Sequence, residues 1–565
     1  MRSGVVVALL TCVALGHASA PAAQSNIVEV VRFPFPQDDG SLTPYTFEVG
    51  YPLVTLVYDT VMWRDPDGVP QPWLATSVTA NPTHTEITIR LRRGIRWHDG
   101  IRLTASDVAF TFDFMSQRHH PRFTPQLSDI EDVEIRDSRT LIIRLTRPSA
   151  GFLDQPLSDV PILPKHLWAV LPKNESAPPG LPIGSGPYML ADYQPGNLYR
   201  FEANDGYFRG SPAVRSIEVP IINDQVQAFN ALTRRRVDMM PVTPPSRFAQ
   251  QLNELSISVE RGPSYLGTAL MFNVRRPPFD SRAVRKAVSS ALDLDRMVDE
   301  VEEAVPADTG YLHPESPWAA KKRMHEFDLA TARTKLGRLG LPTIEILVPN
   351  NDPVRTEAGE QVVLALRRAS AEAEVVEVSR NELGEAVGED APSDFEPTFQ
   401  AAIWGIPPLA SYDPSFLLRI FGSDPEEALI NYSGYASREF ERIATHMATT
   451  PNPAVRKRLV VQTQEVLAKD LPAIPLFFSN GAFAFRRSIY DRWVFVKGTG
   501  ILDKLSFLEG EEPPEPNETS DATVDENLAT PASPERKPGL LQPVSLGLVA
   551  VVLLIGAFEL ARRFR

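Results

Sequence analysis

The sequence predicts an α/β protein with more than one domain, and three observations support this prediction. A chain of 565 residues is long enough to bury more than one hydrophobic core. Apolar and polar residues alternate from Thr85 to Arg92, as in a half-buried strand, and Asp99-Gly100 supplies turn chemistry after it. Thr104 then begins a helix, with Asp107 three positions later as in a capping box.

Composition excludes several classes of protein. The chain is 43% hydrophobic and 23% charged, which is ordinary for a globular protein, and its net charge is -14. An acidic chain lacks the clustered Lys and Arg of a phosphate-binding face, so we expect no nucleic-acid partner. The single cysteine, Cys12, lies in the N-terminal leader, so the mature chain has no disulfide. His119-His120 is one adjacent pair without further ligands nearby in sequence, so we expect no metal or cofactor.

Both ends of the chain have the composition of targeting segments. Residues 1–23 combine Arg2, an apolar run and Ala18-Ser19-Ala20, which is typical of a secretory signal peptide. Residues 509–539 are acidic and Pro-rich and predict a disordered linker. Residues 540–561 are long and apolar enough to cross a bilayer.

The C-terminal segment therefore predicts a membrane anchor. Arg562-Arg563-Phe564-Arg565 would form a cytoplasmic stub by the positive-inside rule, which leaves the globular part outside the cytoplasm. Two alternatives stay open for residues 540–561, a buried core helix and a sorting tail that is removed.

Further strands and helices follow from the same periodicities. The alternation of Phe110, Phe112 and Phe114 would also suit a strand, but the cap at Thr104 favours a helix. Strands are predicted at 27–33, twice within 132–145, and at 217–221, 270–274, 343–348, 399–405 and 472–478. Helices are predicted at 224–235, after a cap near Asp280, and at 354–369, 435–449 and 453–471.

Three spaced motifs carry a resemblance to a known family. They are Leu91 to Phe114, Gly184-Ser185-Gly186-Pro187-Tyr188, and Leu270 to Val274 followed by Pro277 to Ala287. Their residues and their order along the chain resemble those of the extracytoplasmic solute-binding proteins of ABC importers, family 5. Members of that family carry peptides, nickel chelates or oligosaccharides. The resemblance extends over residues 27–508. We also expect the Gly-Ser-Gly run to mark a sharp backbone bend between subdomains.

The resemblance implies a two-lobed periplasmic-binding-protein fold of type II, in its large three-subdomain variant, with hinge-crossing strands. The first lobe would comprise residues 27–265 and 482–508, with an extra subdomain at about 55–182. The second lobe would comprise residues 266–481. A monomer without a cofactor is expected.

The resemblance also implies the function. The chain would capture a peptide or other small organic ligand between closing lobes and deliver it to the permease subunits of an ABC importer. A ligand-binding sensor without a transport role is the alternative. The sequence has neither a His-Glu-x-x-His pattern nor a Gly-x-Ser-x-Gly elbow, so an enzyme is not expected.

Ligand residues are inferred from the same resemblance. Peptide-binding relatives hold the α-amine of the peptide with an aspartate three residues before an acidic-Pro pair. Here that pair is Asp413-Pro414, and the position three before it is Ala410, which disfavours a ligand with a free amine. The candidate ligand residues are Trp404, Asp413, Arg355, Tyr412, Asn431 and Tyr432.

Each of the first three candidates also has a structural interpretation. Arg355 would suit a bidentate grip on a carboxylate, or it would be a solvated arginine at a helix N-terminus. Trp404 would stack on the ligand or pack in the core. Asp413 would contact the ligand or cap the next helix.

Overall fold

A computed structural model describes residues 27–508, except 48, 121, 242–251, 253, 302, 351, 390, 392–394, 426, 427 and 429. The predicted signal peptide, linker, transmembrane helix and cytoplasmic stub all lie outside the described residues. Within 27–508, apart from those gaps, no helix is long and apolar enough to cross a membrane.

Seventeen strands are described. In chain order, β1 to β9 are Val28–Arg32, Met62–Arg64, Pro70–Pro72, Ala75–Ala80, Glu86–Leu91, Ile130–Ile135, Thr140–Leu145, Tyr188–Gln194 and Leu198–Ala203. Strands β10 to β17 are Val214–Pro220, Met239–Met240, Ser258–Phe272, Ala304–Pro306, Ile344–Pro349, Ala373–Val378, Ala401–Ile406 and Ala473–Phe485.

Thirteen α-helices are described with them. Helices α1 to α7 are Tyr51–Val57, Ala105–Gln117, Lys165–Trp168, Gln225–Thr233, Arg282–Ala291, Leu294–Glu300 and Leu329–Leu339. Helices α8 to α13 are Pro353–Arg368, Arg380–Val387, Leu409–Tyr412, Phe416–Phe421, Arg438–Thr449 and Pro453–Asp470.

One large core holds the N-terminal half of the chain together with its last described segment. Two four-stranded sheets, of order β1-β10-β9-β8 and β4-β5-β7-β6, pack around it. Buried side chains from Val31 to Val219 meet Phe483, Phe485 and Phe507 in this core. We call β1–β10, with their connections and residues 482–508, the first lobe.

A seven-stranded sheet organises the remainder of the chain. Its order is β11-β17-β12-β16-β14-β15, with β13 paired to β17. Helices on its two faces bury two further cores, one around Phe272 and Ile346 and one around Leu417 and Phe440. We call α5–α13, with β13–β16, the second lobe.

The long strands β12 and β17 connect the two lobes. They pair antiparallel from Ser258 opposite Phe485 to Met271 opposite Ala473. At one end Phe483 and Phe485 enter the core of the first lobe, and at the other end Ile474 enters a core of the second. The structure therefore confirms the predicted two-lobed α/β architecture with crossing strands.

Local sequence signals predicted most of these elements well. The predicted helix after Thr104 is α2, and the backbone N–H of Thr104 donates to Asp107 Oδ2 at 2.8 Å, which closes the capping box. Phe112 and Met115 are buried on its inner face, so the strand alternative is wrong. The N-cap near Asp280 is Ser281, one residue later than expected.

The Gly184–Gly186 run is explained by packing, because neither glycine has a positive φ. A methyl group on Gly184 would overlap the carbonyl oxygen of Val57, and one on Gly186 would overlap that of Leu56. His98 also clamps this run, since its Nδ1 accepts from Gly184 N at 3.2 Å. The backbone bends at residues 185–187, and close approach to the end of α1 is what requires these glycines.

Candidate ligand-binding cleft

A cleft of about 920 Å³ lies between the two lobes. The first lobe contributes Phe47, His120 and Arg122, from the segment before α1 and the one after α2. The second lobe contributes Arg380, Asn381, Gly384, Glu385, Glu389, Pro407, Leu409, Phe416, Arg419 and Ile430, mostly from α9 to α11. This volume is in the range of small-molecule and peptide sites.

On the first-lobe wall, Arg122 is held by a buried carboxylate. Its Nε and Nη2 donate to Asp159 at 3.0 and 2.6 Å, and Gln126 Nε2 donates to the same carboxylate at 2.7 Å. Burial opposes ionisation of Asp159, but the charge and hydrogen bonds of Arg122 lower the pKa of Asp159 to about 2. Arg122 also lies 3.9 Å from the centre of the Tyr51 ring, which fixes its plane.

His120 belongs to an aromatic cluster beside Arg122. Its ring stacks on Phe123, with centroids 4.4 Å apart, and its Nδ1 accepts from Arg122 N at 3.1 Å. Burial and the positive charge of Arg122 lower the pKa of His120 to about 4, so the ring is neutral at pH 7. No cluster of three metal-ligating side chains occurs in the described part of the chain.

On the second-lobe wall, α9 presents Arg380 to the cleft. Ser379 and Glu382 form a capping box that begins this helix. Arg380 makes two bonds to Glu389, of 2.6 and 2.9 Å, and its guanidinium lies 5.3 Å from the Trp404 ring centre. The charge of Arg380 is therefore already compensated by Glu389.

Arg419, on α11, differs from the other arginines of the cleft. No described carboxylate lies within ion-pair distance of it, and its guanidinium packs 5.0 Å from the Phe416 ring centre. Burial lowers the pKa of Arg419 to about 10. It also lines a smaller cavity of about 120 Å³ between the lobes.

The lobes touch beside this smaller cavity. Asp413 accepts a buried hydrogen bond from Arg456 Nη2, and Arg456 Nη1 donates to the carbonyl of Ala150 in the first lobe at 3.3 Å. The backbone N–H of Ala150 donates to Ala448 O at 2.9 Å. A methyl group on Gly151 would overlap the Asp413 carboxylate. This close contact requires glycine at that position.

Two of the predicted ligand residues belong to this lobe contact. Asp413 pairs with Arg456 and accepts from Ser415 N at 3.1 Å. It is not the N-cap of α11, because that residue is Ser415. The hydroxyl of Tyr412 donates to the carbonyl of Lys497 in the first lobe. Tyr412 and Asp413 thus connect the lobes.

The other four predicted residues lie together in the second lobe, and none is among the described residues that line the cleft. The rings of Trp404 and Tyr432 meet edge to face at 5.1 Å. Arg355 pairs with Asp352 at 3.2 Å, and its guanidinium lies against Gly405. Asn431 Nδ2 donates to the carbonyl of Tyr435 at 2.8 Å, so its side chain shapes a loop.

Arg122, Arg380 and Arg419 were not predicted from the sequence. None of them stands in a recognisable motif. A signal did exist for Arg419, because α11 reads Phe-Leu-Leu-Arg-Ile-Phe and a lone arginine in an apolar helix needs a reason. For Arg122 and Arg380 the sequence carries no comparable signal.

Comparisons with known proteins give a consistent result. The family model described as "Bacterial extracellular solute-binding proteins, family 5 Middle" matches residues 69–427. The chain is 24% identical over 442 residues to the dipeptide-binding protein of Escherichia coli. This alignment covers 72% of this chain and 81% of that protein.

Solved structures share the fold. The oligopeptide-binding protein AppA from Bacillus subtilis, in complex with a nonapeptide, has a TM-score of 0.72 at 20% identity, covering 85% of this chain and 98% of AppA. NikZ from Campylobacter jejuni, in complex with Ni(L-His), has a TM-score of 0.70 at 23% identity, covering 81% and 94%.

Nothing in these comparisons supports the sensor alternative. The predicted function as a transport binding protein, and not an enzyme, is confirmed. Together with the two-lobed fold and the cleft between its lobes, the family match leads to one conclusion. The chain belongs to the bacterial extracellular solute-binding proteins, family 5, and is the substrate-binding component of an ABC importer.

Proposed function

We propose that the chain captures a peptide or another small organic ligand in the cleft of about 920 Å³, and that its lobes close on the ligand before it reaches the permease. The observation that supports this proposal is that the two walls of the cleft come from different lobes. Arg122 comes from the first lobe, whereas Arg380 and Arg419 come from the second. A ligand that contacts both walls stabilises the arrangement in which the lobes are close together.

The ligand does not depend on a free α-amine for recognition. Ala410, where peptide-binding relatives place the aspartate, is fully buried in α10 and carries no charge. The neighbouring Asp413 is already paired with Arg456. A buried ammonium group without a free carboxylate would cost several kcal/mol, so ligands that lack this group are favoured.

Three of the predicted ligand residues remain candidates within this proposal. Trp404, Tyr432 and Arg355 lie near Arg380, which contacts the Trp404 ring and acts on Arg355 through its charge. A ligand that reaches past Arg380 would meet them next. We do not assign this role to Asn431, because its amide bonds are used within its own loop.

A membrane anchor is a second part of the proposal. Residues 540–561 are apolar and end in an arginine cluster, and residues 509–539 form a polar linker of about thirty residues. The proposed lobe boundaries remain 27–265 with 482–508, and 266–481. A tether would keep the receptor near its importer at a high effective concentration.

Native mass spectrometry of the full chain in detergent tests the ligand site. We expect a bound small molecule in the wild type and in Asn381→Ala, and its loss in Asn381→Trp. Asn381 is exposed on the cleft wall, so the indole fills the cleft without disturbing a core. Equal occupancy in Asn381→Trp and Asn381→Ala would overturn the assignment of the ligand to this cleft.

Cysteine labelling tests the anchor, since the chain contains one cysteine, Cys12, which lies in the predicted leader. A membrane-impermeant maleimide should label Ser520→Cys in intact spheroplasts. It should label Arg565→Cys only after the membrane is permeabilised. Labelling of both variants from outside would disprove a spanning helix, and absence of residue 565 from the mature protein would indicate a removed sorting tail.

A further inference from the structure

The charges around Arg419 do not balance. Arg419 lies beside two ion pairs of the lobe contact, Arg122 with Asp159 and Arg456 with Asp413. Within these five groups, three positive charges stand against two negative charges, and Arg419 supplies the excess. Burial lowers the pKa of Arg419 to about 10, which still leaves the side chain charged at pH 7.

Both carboxylates are already committed to other partners. Asp159 accepts two bonds from Arg122 and one from Gln126. Asp413 accepts from Arg456 Nη2 and from the backbone N–H of Ser415. These two carboxylates and Arg122 are the ionisable groups that act on Arg419 through charge. Within the described chain, Arg419 is thus a half-buried cation without its own anion.

We infer that Arg419, together with the free Nη1 of Arg122, forms an anion-binding subsite of the cleft, which takes a carboxylate of the ligand. This inference rests on the proposed function and deepens it, because it assigns the ligand to the class of carboxylate-bearing molecules. A guanidinium presents parallel N–H donors that match the two oxygens of a carboxylate. A half-buried arginine gains more from such a partner than an exposed one, since water screens the pair less.

The location of the two arginines gives the subsite a second property. Arg122 belongs to the first lobe and Arg419 to the second, and both line the same cleft. A carboxylate held between them contacts both lobes at once. Its binding energy therefore favours the arrangement in which the lobes lie close together.

Thermal unfolding of the full chain in detergent tests this inference. The probes are glutarate, a free organic acid, and N-acetyl-Ala-Ala, which presents a peptide carboxyl terminus, each at constant ionic strength. The neutral amide of each probe is the matched control ligand. We expect at least one acid, but neither amide, to raise the Tm of the wild type with increasing concentration. Which acid is effective distinguishes an organic acid from a peptide terminus.

Two variants make the test specific. Arg419→Gln should lose the Tm shift, whereas Arg458→Gln should keep it. Arg458 is exposed on α13 and bonds the carbonyl of Ala454 in its own helix at 3.3 Å. No shift in the wild type, equal shifts in the wild type and Arg419→Gln, or equal shifts from acid and amide would each overturn the inference.

The stability of Arg419→Gln without added probe gives an independent readout. Arg419 is half-buried and lacks its own anion, so replacing it by a neutral side chain should leave the Tm nearly unchanged. A marked fall would show that Arg419 has a structural partner, and would overturn the inference. If Asn381→Trp expels a co-purified ligand that carries no carboxylate, the proposed function stands and this inference fails. If that ligand stays bound in Asn381→Trp, the proposed function itself fails.

Discussion

Two clusters of buried charge in the described part of the chain are built very differently. In the first lobe, Lys504 and Asp59 are both fully buried and lie 2.8 Å apart. Asp59 also accepts from Trp73 Nε1 at 2.8 Å, from the Tyr207 hydroxyl at 3.0 Å and from the Ser185 hydroxyl at 3.1 Å. Every member of this cluster belongs to the same lobe.

The second cluster lies where the lobes touch and combines groups from both. Arg456 pairs with Asp413 and reaches the carbonyl of Ala150, while Arg64 donates to the carbonyl of Asp154 at 2.8 Å. The Nε atoms of Arg456 and Arg64 are buried and have no partner among the described residues. Nearby, Arg419 has no carboxylate of its own.

The difference separates a cluster that stabilises one lobe from a cluster at the contact between the two lobes. A saturated cluster inside one lobe contributes to the folding of that lobe, because separating its members leaves a buried charge unpaired. A cluster shared between lobes must tolerate separation, and the neighbouring Arg419 lines the cleft, where a ligand can reach it. The number of partners of the buried charges therefore distinguishes these two clusters.

The largest effect is expected from breaking the saturated cluster. Lys504→Met should lower the free energy of unfolding by about 3–5 kcal/mol, because it leaves the Asp59 carboxylate buried without its cation. Denaturant unfolding of the full chain measures this change. Lys173→Met, at an exposed position, is the control and should change stability by less than about 0.5 kcal/mol. Equal effects of the two substitutions would remove the contrast between the clusters.

A smaller, pH-dependent effect is expected from the shared cluster. Burial, reinforced by the negative charge of Asp413, raises the pKa of Asp154 from 3.8 to about 7, although Arg64 and Arg456 oppose this shift. Between these pH values the folded chain holds a proton on Asp154 that the unfolded chain has lost. The contribution of Asp154 to stability is therefore present below about pH 4 and is lost as the pH rises through 7.

Asp154→Asn isolates this contribution. The stability of the wild type relative to Asp154→Asn should fall as the pH is raised from about 4 to about 7, and should then stay constant. Thermal unfolding of both proteins across this range provides the measurement. Parallel pH profiles would mean that Asp154 titrates normally, and that the lobe contact does not shield it from water.

Local signals explain what the sequence could predict, and contacts between distant positions explain what it could not. The capping box at Thr104 and Asp107 spans four residues, so its chemistry is visible in the sequence and the predicted helix was found. The ion pair between Asp59 and Lys504 joins positions 445 residues apart, and no periodicity indicates it. The family resemblance predicted two lobes correctly, because several motifs agree in order over most of the chain.

The candidate site was harder to predict than the fold. Trp404 and Asp413 drew attention through motifs, but Asp413 is used in the lobe contact and Trp404 packs against Tyr432. Arg419 became a candidate only once the partners of Asp159 and Asp413 were known. Whether a charged side chain is compensated depends on the folded arrangement, which spacing along the chain does not reveal.

The burial of Lys504 has a mechanical consequence. Lys504 and Phe507 are fully buried in the first lobe, so the described chain ends in that lobe. With the proposed anchor on the C-terminal side, the first lobe would be the tethered lobe, and the second lobe would be connected to it by the two long strands β12 and β17. In that arrangement the second lobe, with Arg419, would move relative to the tethered first lobe when the cleft opens or closes.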